Sequence, residues 1–176
     1  MTINIITLIE EEQKIAEFIA KHRVKFNREN GAEATHYGDK EPWKVEVQSV
    51  GAELAFCKMF NCWPDLNTKR FGELDAVLKD GRTVDVKGTE LKTGRLLVKV
   101  KDREPCDLYA LMIGDFPSYR FAGWMTGKEL LQDRRIDDKL EHPAFAAKQH
   151  ELADEWKSKL LGTIMDAIAN VVSKHK

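Results

Sequence analysis

Gly72-Glu73-Leu74-Asp75-Ala76-Val77-Leu78-Lys79-Asp80-Gly81-Arg82-Thr83-Val84-Asp85-Val86-Lys87-Gly88-Thr89 is the stretch on which the fold turns. Apolar and polar residues alternate on both sides of Asp80-Gly81, a pair that favours a tight turn. The segment therefore predicts two antiparallel strands, 73–78 and 82–87. Loop length then sets the register. A two-residue loop would oppose Asp75 to Val86 and Ala76 to Asp85, mixing polar and apolar residues on each face. A three-residue loop, Lys79-Asp80-Gly81 with the glycine left-handed, opposes Asp75 to Asp85 and Ala76 to Val84. Leu74, Ala76, Leu78, Val84 and Val86 then share one face. A slip of one residue would exchange the faces, so burial selects this register.

The other face collects Glu73, Asp75, Asp85 and Lys87. Opposed residues have Cβ atoms roughly 4.5–5.5 Å apart. Two carboxylates about 4 Å apart repel by about 4 kcal/mol at an effective dielectric near 20. A cation has to offset that: Lys87, a bound metal, or both. Ligation by oxygen alone favours Mg²⁺ or Mn²⁺ over zinc.

Working outward, Trp43, Val47, Val50, Leu54 and Cys57 step along one stripe and predict a helix starting near Trp43 and ending by 61–64. Glu53 lies beside that stripe, on the border between core and solvent. Further upstream, Thr7 with Glu10 forms a capping box, and Ile15, Phe18, Ile19 and His22 predict a helix over about 10–28. Residues 30–42 read as a loop. Downstream, 96–101 alternates as a strand, 108–113 is apolar on both faces as a central strand should be, and 119–124 is a further strand. Thr126 and Glu129 form another capping box. A final helix is expected from about Pro143, with Leu152, Trp156, Leu160, Ile164 and Ile168 on one side. The expected fold is a single α/β (α+β) domain over 1–176, a central mixed sheet of about five strands flanked by helices.

The 176 residues suffice for one domain. With 43% hydrophobic and 32% charged residues, the composition excludes disorder and collagen-like repeats. No apolar run approaches the roughly 20 residues of a membrane helix. Residues 1–8 lack the basic start and cleavage site of a secretory signal, and Cys57, Cys62 and Cys106 match neither a disulfide framework nor a zinc pattern. A cytoplasmic setting, in a bacterial or phage-infected cell, is the expectation, with no membrane partner. The net charge of −1 gives no support for a nucleic-acid partner. Locally the balance differs: 79–103 carries eight basic and four acidic residues, +4.

Asp75, then Asp85-Val86-Lys87 at a hairpin, after a helix bearing Glu53, resembles the PD-(D/E)XK nuclease superfamily, especially its small phage-type, restriction-endonuclease-like members. The resemblance spans about 51–124 and continues in Asp107-Leu108-Tyr109-Ala110-Leu111-Met112-Ile113 and in Phe121-Ala122-Gly123-Trp124. It implies a Mg²⁺-dependent deoxyribonuclease (Mn²⁺ as substitute) hydrolysing DNA phosphodiesters in phage-type DNA processing, recombination or restriction. Asp75, Asp85, the Val86 carbonyl and Glu53 are the metal ligands it implies, and Lys87 the residue that positions the attacking water. Thr89, Lys92, Arg95, Lys99 and Lys101 are the expected phosphate contacts. For Lys99 and Lys101, protection of an edge strand explains the charge nearly as well.

The acid-x-Lys pattern recurs at Glu12, Glu90, Asp137 and Glu155, but only the Asp85 copy lies on a strand with a second carboxylate across it. Leu74, not proline, precedes Asp75, whereas a literal Pro64-Asp65 falls in the connection before the strands. Between 101 and 107 there is little room for the family's crossover helix, since a parallel return takes about a dozen residues. Either that connection differs or one strand is misassigned. Two alternatives stand beside the nuclease: a non-catalytic DNA-binding module with a nuclease-like sheet, and an unrelated α+β interaction protein with a solvated carboxylate face. A homodimer through the C-terminal helix is a further expectation.

Overall fold

The computed structural model describes residues 5–31, 41–69, 74–100 and 106–153. In chain order the elements are β1 (Ile5–Thr7), α1 (Glu10–Glu29), α2 (Pro42–Phe60), β2 (Trp63–Pro64), β3 (Ala76–Val77), β4 (Thr83–Thr89), β5 (Leu96–Lys99), β6 (Leu108–Asp115), β7 (Ser118–Thr126), α3 (Gly127–Leu130), β8 (Ile136–Asp137) and β9 (Ala144–Ala147). Six strands form the main sheet in the order β1-β7-β6-β4-β3-β2, and three form a second in the order β5-β9-β8. β4 and β6 run parallel while β3/β4 and β6/β7 are antiparallel, so the main sheet is mixed. This is the expected α+β class; the main sheet has six strands against about five anticipated, and the three-stranded second sheet was not foreseen.

The hairpin adopts the three-residue loop. Ala76 stands opposite Val84 and Val77 opposite Thr83. Leu78 N–H donates to the Arg82 carbonyl at 2.9 Å, and Gly81, at φ +87°, donates to the Leu78 carbonyl at 2.9 Å. A Cβ at Gly81 would meet nothing within 4 Å, so its conformation and not space demands glycine. Gly81→Ala should cost about 1–2 kcal/mol in urea denaturation, the strain of a left-handed L-residue.

β6 is buried on both faces, as a central strand should be. Leu108, Ala110 and Met112 pack with Ala76, Leu78, Val84 and Val86 beneath Ala52, Ala55 and Phe56 of α2. On the reverse face Tyr109, Leu111 and Ile113 meet Leu96 and Val98 of β5, Phe145 and Ala147 of β9, and Leu130 of α3. The Thr126 hydroxyl caps α3 as expected, accepting from Glu129 N–H at 3.3 Å.

Five expectations need correction. First, Leu74 packs against the reverse core and not beside Ala76. Asp75 N–H donates to the carbonyl of Val84, the residue already paired with Ala76, so two residues stand against one and the alternation breaks in a bulge. Second, α1 is capped from Glu12, whose carboxylate accepts from Ile9 N–H at 2.7 Å. Thr7 instead lies in β1, its hydroxyl on Ser118. Third, α1 buries Ala16, Ile19, Ala20 and Arg23 and leaves Ile15 and Phe18 exposed, because its small residues face Val47 and Val50 of α2.

Fourth, 96–99 forms a strand, but in the second sheet. The return from β4 to β6 therefore passes through β5, which gives a parallel connection its length without an α-helix in its described part. Fifth, the stretch from Pro143 begins as strand β9 and a 3-10 turn at Gln149–Glu151. Trp156 and the rest of the expected final helix, with the dimer contact assigned to it, lie outside the described residues. Among the described residues no helix is long and apolar enough to cross a membrane.

Candidate active site

Along β4, strand β3 reaches only Thr83 and Val84, so beyond Val84 that edge of β4 has no strand partner among the described residues. Asp75 fills the notch. Its Oδ2 accepts from Val86 N–H at 2.7 Å, replacing the carbonyl a neighbouring strand would supply, and its own carbonyl accepts from Asp65 N–H at 2.9 Å. The carboxylate is thus buried and held by the bulge and by β4 together. Asp75 and Asp85 are not a ladder pair, since the described pairing stops at Ala76 and Val84.

Along β4 the side chains alternate, with Val84 and Val86 in the core under α2 and Asp85 and Lys87 on the opposite face. Lys87 Nζ lies 2.7 Å from Asp85 Oδ1. Burial by itself would lower the Lys87 pKa; the charges of Asp85, Asp75 and Glu53 outweigh it and hold the amine above its ordinary value. The three acids come from three parts of the chain and act on one ammonium.

Glu53 is buried, not at a helix border. Its two oxygens accept from Arg23 Nη1 and Nη2 at 2.9 and 3.1 Å, a forked pair between α1 and α2. Arg23 also donates to the carbonyls of Asp65 (3.2 Å) and Asn67 (3.4 Å), and Glu46 lies 3.5 Å away. Burial would lower its pKa, but Glu53, Glu46 and Asp75 raise it overall. Sequence reasoning missed Arg23. The available signal was its place on the Ala16-Ala20 side of α1, three and four residues from Ala20 and Ile19.

Cys57 lies close enough to Glu53 and Asp75 to feel both charges. Its hydrogen bond with Cys62, then burial, push its thiol pKa up, and the same hydrogen bond lowers that of Cys62. Burial, then the charge of Asp85, raises Cys106 to about 11. All three thiols are unbridged. Asp65 of the literal Pro64-Asp65 pair closes a turn on Asn67 N–H at 2.8 Å, near Asp75.

The expected phosphate contacts fare unevenly. Thr89, at the end of β4, accepts from Leu91 N–H at 3.3 Å, and Lys92 is exposed. Arg95 is engaged by Asp137 at 2.8 Å, Lys99 is half-buried on edge strand β5, and Lys101 lies outside the described residues. Gln149 and Arg120 shape this loop unforeseen: Gln149 Nε2 donates to the Lys92 and Gly94 carbonyls, both at 2.9 Å, and its Oε1 accepts from Arg120 at 3.0 Å.

Asp75, Asp85, Glu53 and the Val86 carbonyl offer only hard oxygen donors, which fit Mg²⁺ or Mn²⁺ in kind. Among the described residues no three His, Cys, Asp or Glu side chains already stand as a ligand group. Compared with known proteins, the chain matches no family model, no curated protein and no solved structure.

Proposed function

We propose that this chain is a divalent-metal-dependent deoxyribonuclease of the PD-(D/E)XK kind. The observation that carries the proposal is local to β4: Asp85 and Lys87 stand 2.7 Å apart, and the buried carboxylate of Asp75 is bonded to the N–H of Val86 between them. A surface ion pair needs only Asp85 and Lys87. Two further buried acids, each anchored by its own bond to Val86 or Arg23, have no such simple use.

Asp75 and Asp85, with the Val86 carbonyl and Glu53, would hold the metal. When bound, it polarises the scissile phosphate and lowers the pKa of water. Lys87 stays protonated under the field of the acids, so its task is to donate hydrogen bonds: it orients the attacking water and balances charge growing on the phosphate. The rigid edge of β4 fixes Asp85 and Lys87 in one spacing, and Asp75 locks Val86 against it. Lys92, exposed at the loop after β4, offers a phosphate contact.

A second reading, the non-catalytic DNA-binding module, is favoured by one observation: Glu53 and Asp85 are already paired with Arg23 and Lys87. Cleavage of plasmid and oligonucleotide DNA with Mg²⁺, Mn²⁺ or EDTA decides. The nuclease cuts with either metal, stops in EDTA, and loses about 10²–10³-fold in rate on Asp85→Ala. Cutting that survives both EDTA and the substitution would overturn it, and binding without any cutting would favour the module.

A further inference from the structure

Resting on the nuclease proposal, we infer that the concavity bounded by Trp63, Leu66, Leu74 and Val77 is a subsite for an unpaired nucleobase. The substrate class is then single-stranded or frayed DNA. Trp63 is 78% exposed, and Val77 and Leu66 beside it are 51% and 39% exposed. No hydrogen bond or ring contact with another described residue accounts for the indole. Together with Pro64, Asp65 and Ala76 these residues line a hollow of about 690 Å³.

Register places this hollow on the catalytic side. Trp63 stands opposite Val77, and Val77 opposite Thr83, so the three share a face. Thr83, Asp85 and Lys87 alternate along β4 on that same face. Trp63 therefore lies two strands, about 10 Å, across the sheet from Asp85 and about 7 Å along it, one or two nucleotides away. The bulge at Asp75 contributes directly, since it turns Leu74 to this side and so adds a wall.

The chemistry of the walls selects the occupant. An apolar floor offers no partner to a phosphate, whose place is beside Lys87. It suits a neutral flat ring with N–H groups on its edge, which is a nucleobase. In a duplex both faces of a base are covered by its neighbours. Only an unpaired strand can lay a base on the indole, and such stacking tolerates any sequence.

The test uses the full chain in EDTA, with a labelled oligothymidylate and a duplex of equal length followed by fluorescence anisotropy. Trp63→Ala should weaken single-strand binding about tenfold, leave duplex binding within about twofold, and leave the melting temperature unchanged. Trp63→Phe should restore most of the loss. With Mg²⁺, cleavage of the single strand should show the defect in KM and not in kcat. An equal loss on both DNAs, no loss at all, or a change of oligomeric state in light scattering (a contact between copies through edge strand β2) would overturn the subsite. If wild type cuts nothing but Trp63 still governs single-strand binding, the nuclease proposal fails and the subsite stands. If cutting needs Asp85 but ignores Trp63, the subsite alone fails.

Discussion

Truncating Arg23 to alanine should destabilise the protein by about 3–5 kcal/mol, seen as a lower urea midpoint at unchanged slope. Arg23 is 6% and Glu53 5% exposed, so removing the guanidinium leaves a carboxylate that water cannot reach. Glu46 and Asp75 lose the same counter-charge. The carbonyls of Asp65 and Asn67 lose a donor as well, which loosens the connection that leads toward β3. Lysine should recover only part of the loss, because an ammonium cannot present the fork that meets both oxygens of Glu53. Replacing the pair together, Arg23→Met with Glu53→Leu, should recover more than either change alone, since no buried charge is then orphaned. That double variant also separates Glu53's two roles. If Glu53 only anchors Arg23, the double variant cuts DNA normally; if it helps to hold the metal, the variant folds but cuts poorly. A loss below about 1 kcal/mol for Arg23→Ala would show that this pair is not what joins α1 to α2.

The hairpin register was legible because two independent constraints, turn chemistry at Asp80-Gly81 and the alternation around it, admit only one solution. The bulge at Asp75 was not, since one extra residue against Val84 leaves no mark in composition and shows only in where Leu74 and the Asp75 carboxylate end up. On α1, counting hydrophobicity selected Ile15 and Phe18. The buried side is instead the one where Ala16 and Ala20 let two helices approach, and Arg23 is buried only because Glu53, thirty positions later, neutralises it. Alternation announced β5 but not its sheet, because a strand's own period says nothing about its neighbour. Asp85, Lys87, Asp75 and Glu53 were each named from the sequence. What the sequence did not show is how two of them are held, Asp75 on the Val86 N–H and Glu53 on the Arg23 fork.

Lys87 is where catalytic and merely structural uses of this site diverge, and Lys87→Met, which keeps the aliphatic stem and deletes the charge, should separate them. In the metal-free protein the ammonium offsets Asp85 at 2.7 Å and feels Asp75 and Glu53. Two carboxylates about 4 Å apart repel by about 4 kcal/mol at a dielectric near 20, and solvent at this partly exposed site screens that to a fraction. Without its ammonium the site should become a stronger trap for divalent cations. A ligand present at 100 times its Kd stabilises by about 2.7 kcal/mol, which in a chain of this size is a rise of about 5–10 °C in melting temperature. Saturating Mg²⁺ should therefore raise the melting temperature of Lys87→Met by about that amount, and that of wild type by less. The same variant should cut DNA about 10²–10³-fold more slowly, having lost the donor that faces the developing charge. Tighter metal binding with slower cutting is a combination that a surface ion pair cannot produce. If the variant cuts at the wild-type rate and its melting temperature responds to Mg²⁺ no more than wild type does, Lys87 serves Asp85 alone and the chemistry lies elsewhere.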